Sequence, residues 1–491
     1  MKKTIWSIAL MIGFVMVLFP VQAGATTVQD EIMYRLLIDR FNNGDASLDQ
    51  QTDIADPYAF HGGDLAGIVK KLDTLKGLGY TTIVLSPVMS NADNGYHGYW
   101  VDDFFSVEQQ YGTIEDLNNM IKEAHDRDLN VIMEFVTNYV ADTHEFATAS
   151  EQLVKENASI AAPWGDGAVM LDQSKAEVRS HIIEAAQYWM QETELDGFKL
   201  HAADQMDADF LKELTRTIEQ EDDQFMILAD VLDVKVDLSV LEENKQIDAI
   251  DAPNVQQTLT TIMSKPGESL TPLIKATDEA GRKLLYVDNF YTKRFTQLMA
   301  ENGRNDLTSW KLALTYLFTA PGIPSILQGS DIPMYGDGYP ESQRLVQFNQ
   351  QDEDVKAFFE KISAIRKQFP VLADGAFSFV GESGAMSVYK RTNESQTVYV
   401  ALNNDVQSQA VPVTDLTNDE QLNGILGDNL VRQDDEGVFN LVLPRETAEI
   451  YIVEENNGLN WPFITFIGGV FLLFPIGIFV MGRKQKTSGN N

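Results

Sequence analysis

The chain has 491 residues with 73 acidic and 37 basic side chains, a formal charge of −36, which excludes a general nucleic-acid binder because phosphate recognition needs clustered positive charge. At 44% hydrophobic and 10% aromatic residues it is too apolar for a disordered acidic chain. Cysteine is absent, which excludes disulfides, thiol nucleophiles and cysteine-held zinc, so any metal must be held by oxygen or by the six histidines.

Lys2 and Lys3 precede an apolar run from Ile5 to Val21 and the small residues Ala23-Gly24-Ala25, so residues 1–25 are expected to be a signal peptide, with an uncleaved anchor as the alternative. Between 26 and 366, short apolar runs alternate with helical patterns. Strands are expected at 31–36, Thr81–Leu85, Asn130–Phe135, Gly197–Leu200, Phe225–Ala229, Ile247–Ile250, Leu284–Val287 and Ser325–Leu327. Segments such as LAGIVKKLDTLKGLG and AEVRSHIIEAAQYWMQET repeat apolar residues at helical spacing. Eight such units predict an α/β fold, a TIM (β/α)8 barrel with a short insert at about 140–171 after the third strand. An open doubly wound sheet is the competitor, but no Gly-rich phosphate loop follows an early strand. Residues 367–455 change to short alternating runs, VYVALNN and VFNLVL among them, and predict a C-terminal β-sandwich. Residues 461–481 carry no charge, which predicts one C-terminal transmembrane helix, a buried helix being the alternative. Arg483, Lys484 and Lys486 follow it, placing 482–491 in the cytoplasm and predicting a single-pass cell-membrane protein with its ectodomain outside.

Barrel active sites are built from the C-terminal ends of the strands. Here those ends read SPV and GYHGYW, EFVTNY, GFKLHAADQ, LADV, YVDNFY and PGIPSILQGSDI, with DRFNNGD near Arg40. Together they closely resemble the α-amylase family of glycoside hydrolases over roughly residues 30–455. The resemblance implies three catalytic carboxylates, but this chain departs at each place. His201 stands at the nucleophile position, Asp230 at the acid/base position and Tyr291 at the third position. Lys199 replaces the Arg that orients the nucleophile, Tyr139 a His after Asn138, and Phe290 a second His. Neutral His201 has no oxygen with which to form the glycosyl ester of a retaining mechanism. Asp204, Asp233 and Asp288 are poor substitutes, and Glu134 is assigned an ion pair with Lys199.

The resemblance further implies substrate contacts from Tyr99, His97, Asn138, Lys199 and Asn289, and a calcium ion held by Asn43, Asp45, Asp49, Gly62 and Asp64, hard oxygen donors that suit it. The bland alternatives are core aromatics and an Asx-rich turn. The expectation is therefore a membrane-anchored, extracellular, catalytically inactive relative that binds α-glucan or scaffolds a transporter or enzyme partner. The alternative is an active α-glucan hydrolase or transglycosylase with unorthodox catalytic residues.

Overall fold

The computed structural model describes residues 27–456 apart from 150–151, 157, 159, 161 and 278–281. Eight parallel strands close into a barrel: β1 (Met33–Leu36), β2 (Thr82–Leu85), β3 (Asn130–Phe135), β4 (Gly197–Leu200), β5 (Met226–Ala229), β6 (Ala249–Asp251), β7 (Lys283–Leu285) and β8 (Ile323–Leu327). Each pairs with its neighbours in sequence, and β1 closes the ring against β8. Nearly every strand residue is buried because helices cover the outside while side chains fill the inside.

Strand periodicity sets what fills the barrel. Met33, Val84, Ile132, Leu228, Ala249, Leu284 and Ile323 form one buried apolar cluster across the ring. Alternate strand residues face the same side, so the residues two places further on lie one layer higher. These are Arg35, Glu134, Asp230 and Asp251, joined by Lys199 on β4. An apolar plug thus lies beneath a layer of charge.

The helices start where the sequence supplies caps. Thr113 Oγ1 accepts the Asp116 amide while the Asp116 carboxylate accepts the Thr113 amide, opening helix Ile114–His125. Asp207, Asn305 and Asp352 cap helices Ala208–Glu221, Asp306–Thr319 and Glu353–Gln368 in the same way. After β3 the insert contributes a small hairpin, Tyr139–Ala141 with Ala168–Met170, which brings Trp164 over the barrel mouth.

The C-terminal part is a six-stranded antiparallel sheet with a two-stranded ribbon, Gln409–Val413 and Phe439–Leu443, packed on it around a separate apolar core. Its junction with the barrel is made by buried cations without carboxylates. Arg391 donates to the carbonyls of Gly375, Thr319, Leu372 and Ala373, and Arg366 to those of Phe318, Leu372, Gly322 and Gln29. Carbonyl dipoles supply the solvation that water would give elsewhere.

The expected fold is corrected in one part. Among the described residues no helix is long and apolar enough to cross a membrane. The longest, Ala176–Glu192, has 17 residues and an exposed polar face. The expected signal peptide at 1–25, the transmembrane helix at 461–481 and the cytoplasmic tail at 482–491 all lie outside the described residues. The fold described is the closed barrel with its C-terminal β domain, and the single-pass cell-membrane localisation has no support in it.

Arg391→Ala is expected to lower stability by about 3 kcal/mol, because several buried carbonyls lose a charged donor together. Chemical denaturation of the variant beside wild type measures it.

Candidate functional site

The charged layer at the barrel mouth is a closed network of three acids and three bases. Lys199 Nζ contacts Asp230 Oδ1 and donates to Asp251 Oδ2 at 2.9 Å. Arg35 stands 3.6 Å from each of the same two carboxylates, with Tyr286 and Phe290 rings against its guanidinium. His201 Nδ1 lies 2.6 Å from Glu134 Oε1 and 3.3 Å from Asp230 Oδ2. All six side chains are at most 4% exposed. Charge neutrality is reached if His201 is protonated, and a buried network needs that balance.

Backbone conformation places these groups. The chain turns sharply after β4, where Ala202 adopts a left-handed φ of 49°. Asp230 fastens that turn: its Oδ2 accepts the Ala202 amide at 3.2 Å and its carbonyl accepts the Ala203 amide at 2.9 Å. Asn138 adds a second fastening by donating to the carbonyls of His201 and Ala202, and Gln173 donates to the Asn138 side-chain oxygen.

Electrostatics follow from these contacts. Burial opposes the charged imidazolium, but hydrogen bonds to Asp230 and Glu134 outweigh it and push His201 up to about 9. Burial likewise opposes the Asp230 anion, yet Lys199, His201 and Arg35 hold its carboxyl well below the ordinary range. Asp251 is raised to about 6, mainly by burial, with Lys199 and Arg35 pulling the other way. His97 is lowered to about 3 by burial and by the neighbouring His201, so it is neutral.

Aromatic rings cover the network. Tyr99 stacks on His201 with centroids 4.3 Å apart, His97 stacks on Tyr99 at 5.3 Å, and Trp164 approaches both Tyr99 and His201. Tyr291 donates to the Tyr99 hydroxyl at 2.9 Å and is half-buried, the outermost ring of the cover.

The structure thus brings together His201, Asp230, Tyr291, Tyr99, His97, Lys199 and Asn138. It does not bring Asn289, whose side-chain oxygen accepts the amides of Tyr291 and Thr292 in a local turn. Asp204 accepts the amides of Leu232 and Asp233, and Asp288 is held by Ser330, Arg294 and the Phe295 amide. Sequence reading assigned Glu134 to Lys199, but Glu134 binds His201, and it missed Arg35 and Asp251 entirely. Their one sequence signal is a lone charge inside an otherwise apolar strand.

At the DRFNNGD loop, Asn43 Nδ2 donates to both Asp49 oxygens at 2.9 Å, and Gly62 packs against the same two side chains. Asp45 accepts the Ser47 amide. Asp64 stands apart, because the amides of Gly44, Asp45 and Gly67 occupy its oxygens. Three of the five expected calcium donors, Asn43, Asp49 and Gly62, therefore lie against one another, and Asp64 serves as a helix cap.

Residues 35–161 and 166–371 match the alpha amylase catalytic domain, and 375–451 match the alpha-amylase C-terminal domain. The fold is similar to an Anoxybacillus α-amylase, at 35% identity over 88% of this chain and 100% of that one, with a TM-score of 0.84. It is also similar to the Geobacillus thermoleovorans α-amylase GTA complexed with acarbose, at 34% identity, 88% and 100% coverage and a TM-score of 0.81. A cyclomaltodextrinase of Thermoanaerobacter pseudethanolicus is 24% identical over 433 residues, 80% of this chain and 73% of that protein. These relatives bear the names of working enzymes, which overturns the expectation of a catalytically inactive, membrane-anchored glucan-binding or scaffolding protein with a transporter or enzyme partner. In this chain, oxygens of Glu134 and Asp230 and a ring nitrogen of His201 lie within 4.8 Å of one another.

The raised His201 value sets a stability window. Because the folded value of about 9 exceeds the ordinary histidine value of 6.5, its contribution is complete below 6.5 and is lost as pH rises through 9. A shift of this size corresponds to about 3 kcal/mol. Wild-type stability is expected to fall by that order between pH 7 and 10, and His201→Gln to flatten the decline, as read by urea unfolding across pH.

Proposed function

The chain belongs to the α-amylase family of glycoside hydrolases, and from that premise we propose that it is an active α-glucan hydrolase or transglycosylase with an unorthodox reacting set. The observation that carries the reading is the convergence of Glu134 and Asp230 on His201 at the C-terminal ends of β3, β4 and β5, the face on which barrel enzymes build their sites. Retaining glycosidases use two carboxyl groups about 5–5.5 Å apart, and here one oxygen of Glu134 lies within 4.8 Å of one of Asp230. Cyclodextrins and linear maltooligosaccharides are the proposed substrates, supported by the cyclomaltodextrinase and the acarbose-bound amylase among the relatives.

In this reading Asp230, kept ionised by Lys199, Arg35 and His201, bonds to C1 as the glycosidic C–O bond breaks, and water deprotonated by Glu134 then displaces it from the glycosyl ester. Glu134 and His201 share a proton across their 2.6 Å contact and deliver it to the leaving oxygen. Asn138 positions His201 through its carbonyl. Because His201 and Asp230 are buried, the glucan enters where the Tyr291 and Tyr99 hydroxyls meet, and those two rings must part to admit it.

Reducing-end release from maltooligosaccharides and β-cyclodextrin tests the reading. Asp230→Asn and Glu134→Gln are each expected to lower kcat/KM by about 10²–10⁴-fold, with melting temperature recorded beside the rates. The rate should also fall as pH rises through about 9, where His201 loses its proton. Absence of wild-type turnover, or turnover indifferent to both substitutions, sinks it.

We also propose calcium as a stabilising ion of the 43–64 loop, supported by the closeness of Asn43, Asp49 and Gly62 and by the hard oxygens those residue types carry. The melting temperature is expected to drop on chelation, to recover with Ca²⁺ and to lose this response in Asp49→Ala; an equal response in Asp49→Ala removes the ion from that loop.

A further inference from the structure

Beside the charged network, the long loop after β8 helps to line a concavity. It has a volume of about 320 Å³, at the lower end of the roughly 300–1,000 Å³ of small-molecule sites. Its base is apolar, formed by Ile332, Pro333 and Val355, and its rim carries Tyr335, Arg344, Gln347 and Gln350. Tyr335 is 48% exposed, a large aromatic surface turned to solvent. Arg344, Gln347 and Gln350 are exposed as well, and among the described residues their side chains have no hydrogen-bond or ion-pair partner.

The loop is rigid where it holds the aromatic ring. Next to Tyr335, the Met334 amide donates to the Gly329 carbonyl at 2.8 Å and the Gly336 carbonyl accepts the Arg294 amide at 2.9 Å. Lys293 pins the following turn by an ion pair to Asp337 at 2.9 Å. Backbone held on both sides of Tyr335 needs little ordering when a ligand lands on the ring.

The same strap joins this hollow to the catalytic mouth. Ser342 and Gln343 turn inward and donate to the Phe290 carbonyl, and Gln343 accepts the Tyr96 hydroxyl. The next residue, Arg344, turns outward into the hollow. A chain bound at the mouth therefore has this concavity beside it.

We propose that the Tyr335, Arg344, Gln347 and Gln350 hollow is an auxiliary binding site for a glucosyl segment of an α-glucan. The chemistry selects the class. A flat apolar sugar face packs on a phenol ring, while amides and a guanidinium hydrogen-bond to neutral hydroxyls from the rim. One arginine is too little positive charge for a polyanion on a chain of −36. The choice of glucan rests on the functional reading above; the site itself does not require turnover.

The test is titration calorimetry of maltoheptaose into the full chain and its variants, with hydrolysis of a short maltooligosaccharide and melting temperature measured in parallel. Tyr335→Ala is expected to weaken maltoheptaose binding about tenfold, the loss a truncated aromatic anchor commonly gives. Arg344→Gln should weaken it less, and both should leave short-substrate turnover unchanged. If Tyr335→Ala misfolds, the paired variant Arg344→Gln with Gln347→Leu carries the test, since both side chains are exposed and unpartnered. Binding retained without any turnover would fail the catalytic reading and keep this site. Binding unaltered in Tyr335→Ala and in the paired variant, or abolished by Tyr99→Ala alone, would overturn it.

Discussion

The mutual neutralisation of Lys199, Arg35 and His201 with Asp230, Asp251 and Glu134 is the constraint on which the barrel mouth depends. Six ionisable groups are stacked over an apolar plug, far from water, and removing any one leaves an uncompensated buried charge. Strand alternation makes the arrangement unavoidable: once Met33, Ile132, Leu228 and Ala249 fill the plug, the residues two places on must face the same interior. The turn after β4, the orientation of His201 and the ionisation of Asp230 all follow from that layer. A cluster balanced in this way sets which of its groups are charged at rest.

Much of the barrel was legible in the sequence because buried parallel strands are short apolar runs and their helices carry a strong period. Each expected strand overlaps an observed one, with ends displaced by up to two residues, as at β6, expected at Ile247–Ile250 and found at Ala249–Asp251. The family positions His201, Asp230 and Tyr291 were legible as motif departures, and they do share one site. Glu134 was misassigned for an instructive reason. It sits opposite Lys199 in the β3–β4 register, but the Lys199 ammonium is claimed by two aspartates, which frees Glu134 for His201. Linear sequence gives the register neighbour and not the competition for it. Arg35 and Asp251 belong to no motif string, and only closure of the ring brings them to the site.

The aromatic cover has a similar logic. Tyr99, His97 and Trp164 come from the loop after β2 and from the insert after β3, far apart in sequence; Tyr99 and Trp164 lie against the His201 imidazole and His97 backs Tyr99. Tyr99 thereby belongs to the cover of the site and is 1% exposed. The loop after β8 serves two surfaces at once, Gln343 toward the mouth and Arg344 toward the outer hollow, so one rigid strap couples the proposed reacting set to a proposed grip on the rest of the glucan.

The central claim, that Glu134 and Asp230 act as one closely spaced carboxylate pair on α-glucans, has a stereochemical consequence. Carboxyl groups about 5 Å apart leave no room for a water between them and the sugar, so configuration is retained. Proton NMR of the first reducing ends released from maltooligosaccharide measures this directly, before mutarotation. The account predicts the α-anomer. The β-anomer as first product, or no product at all, would contradict it.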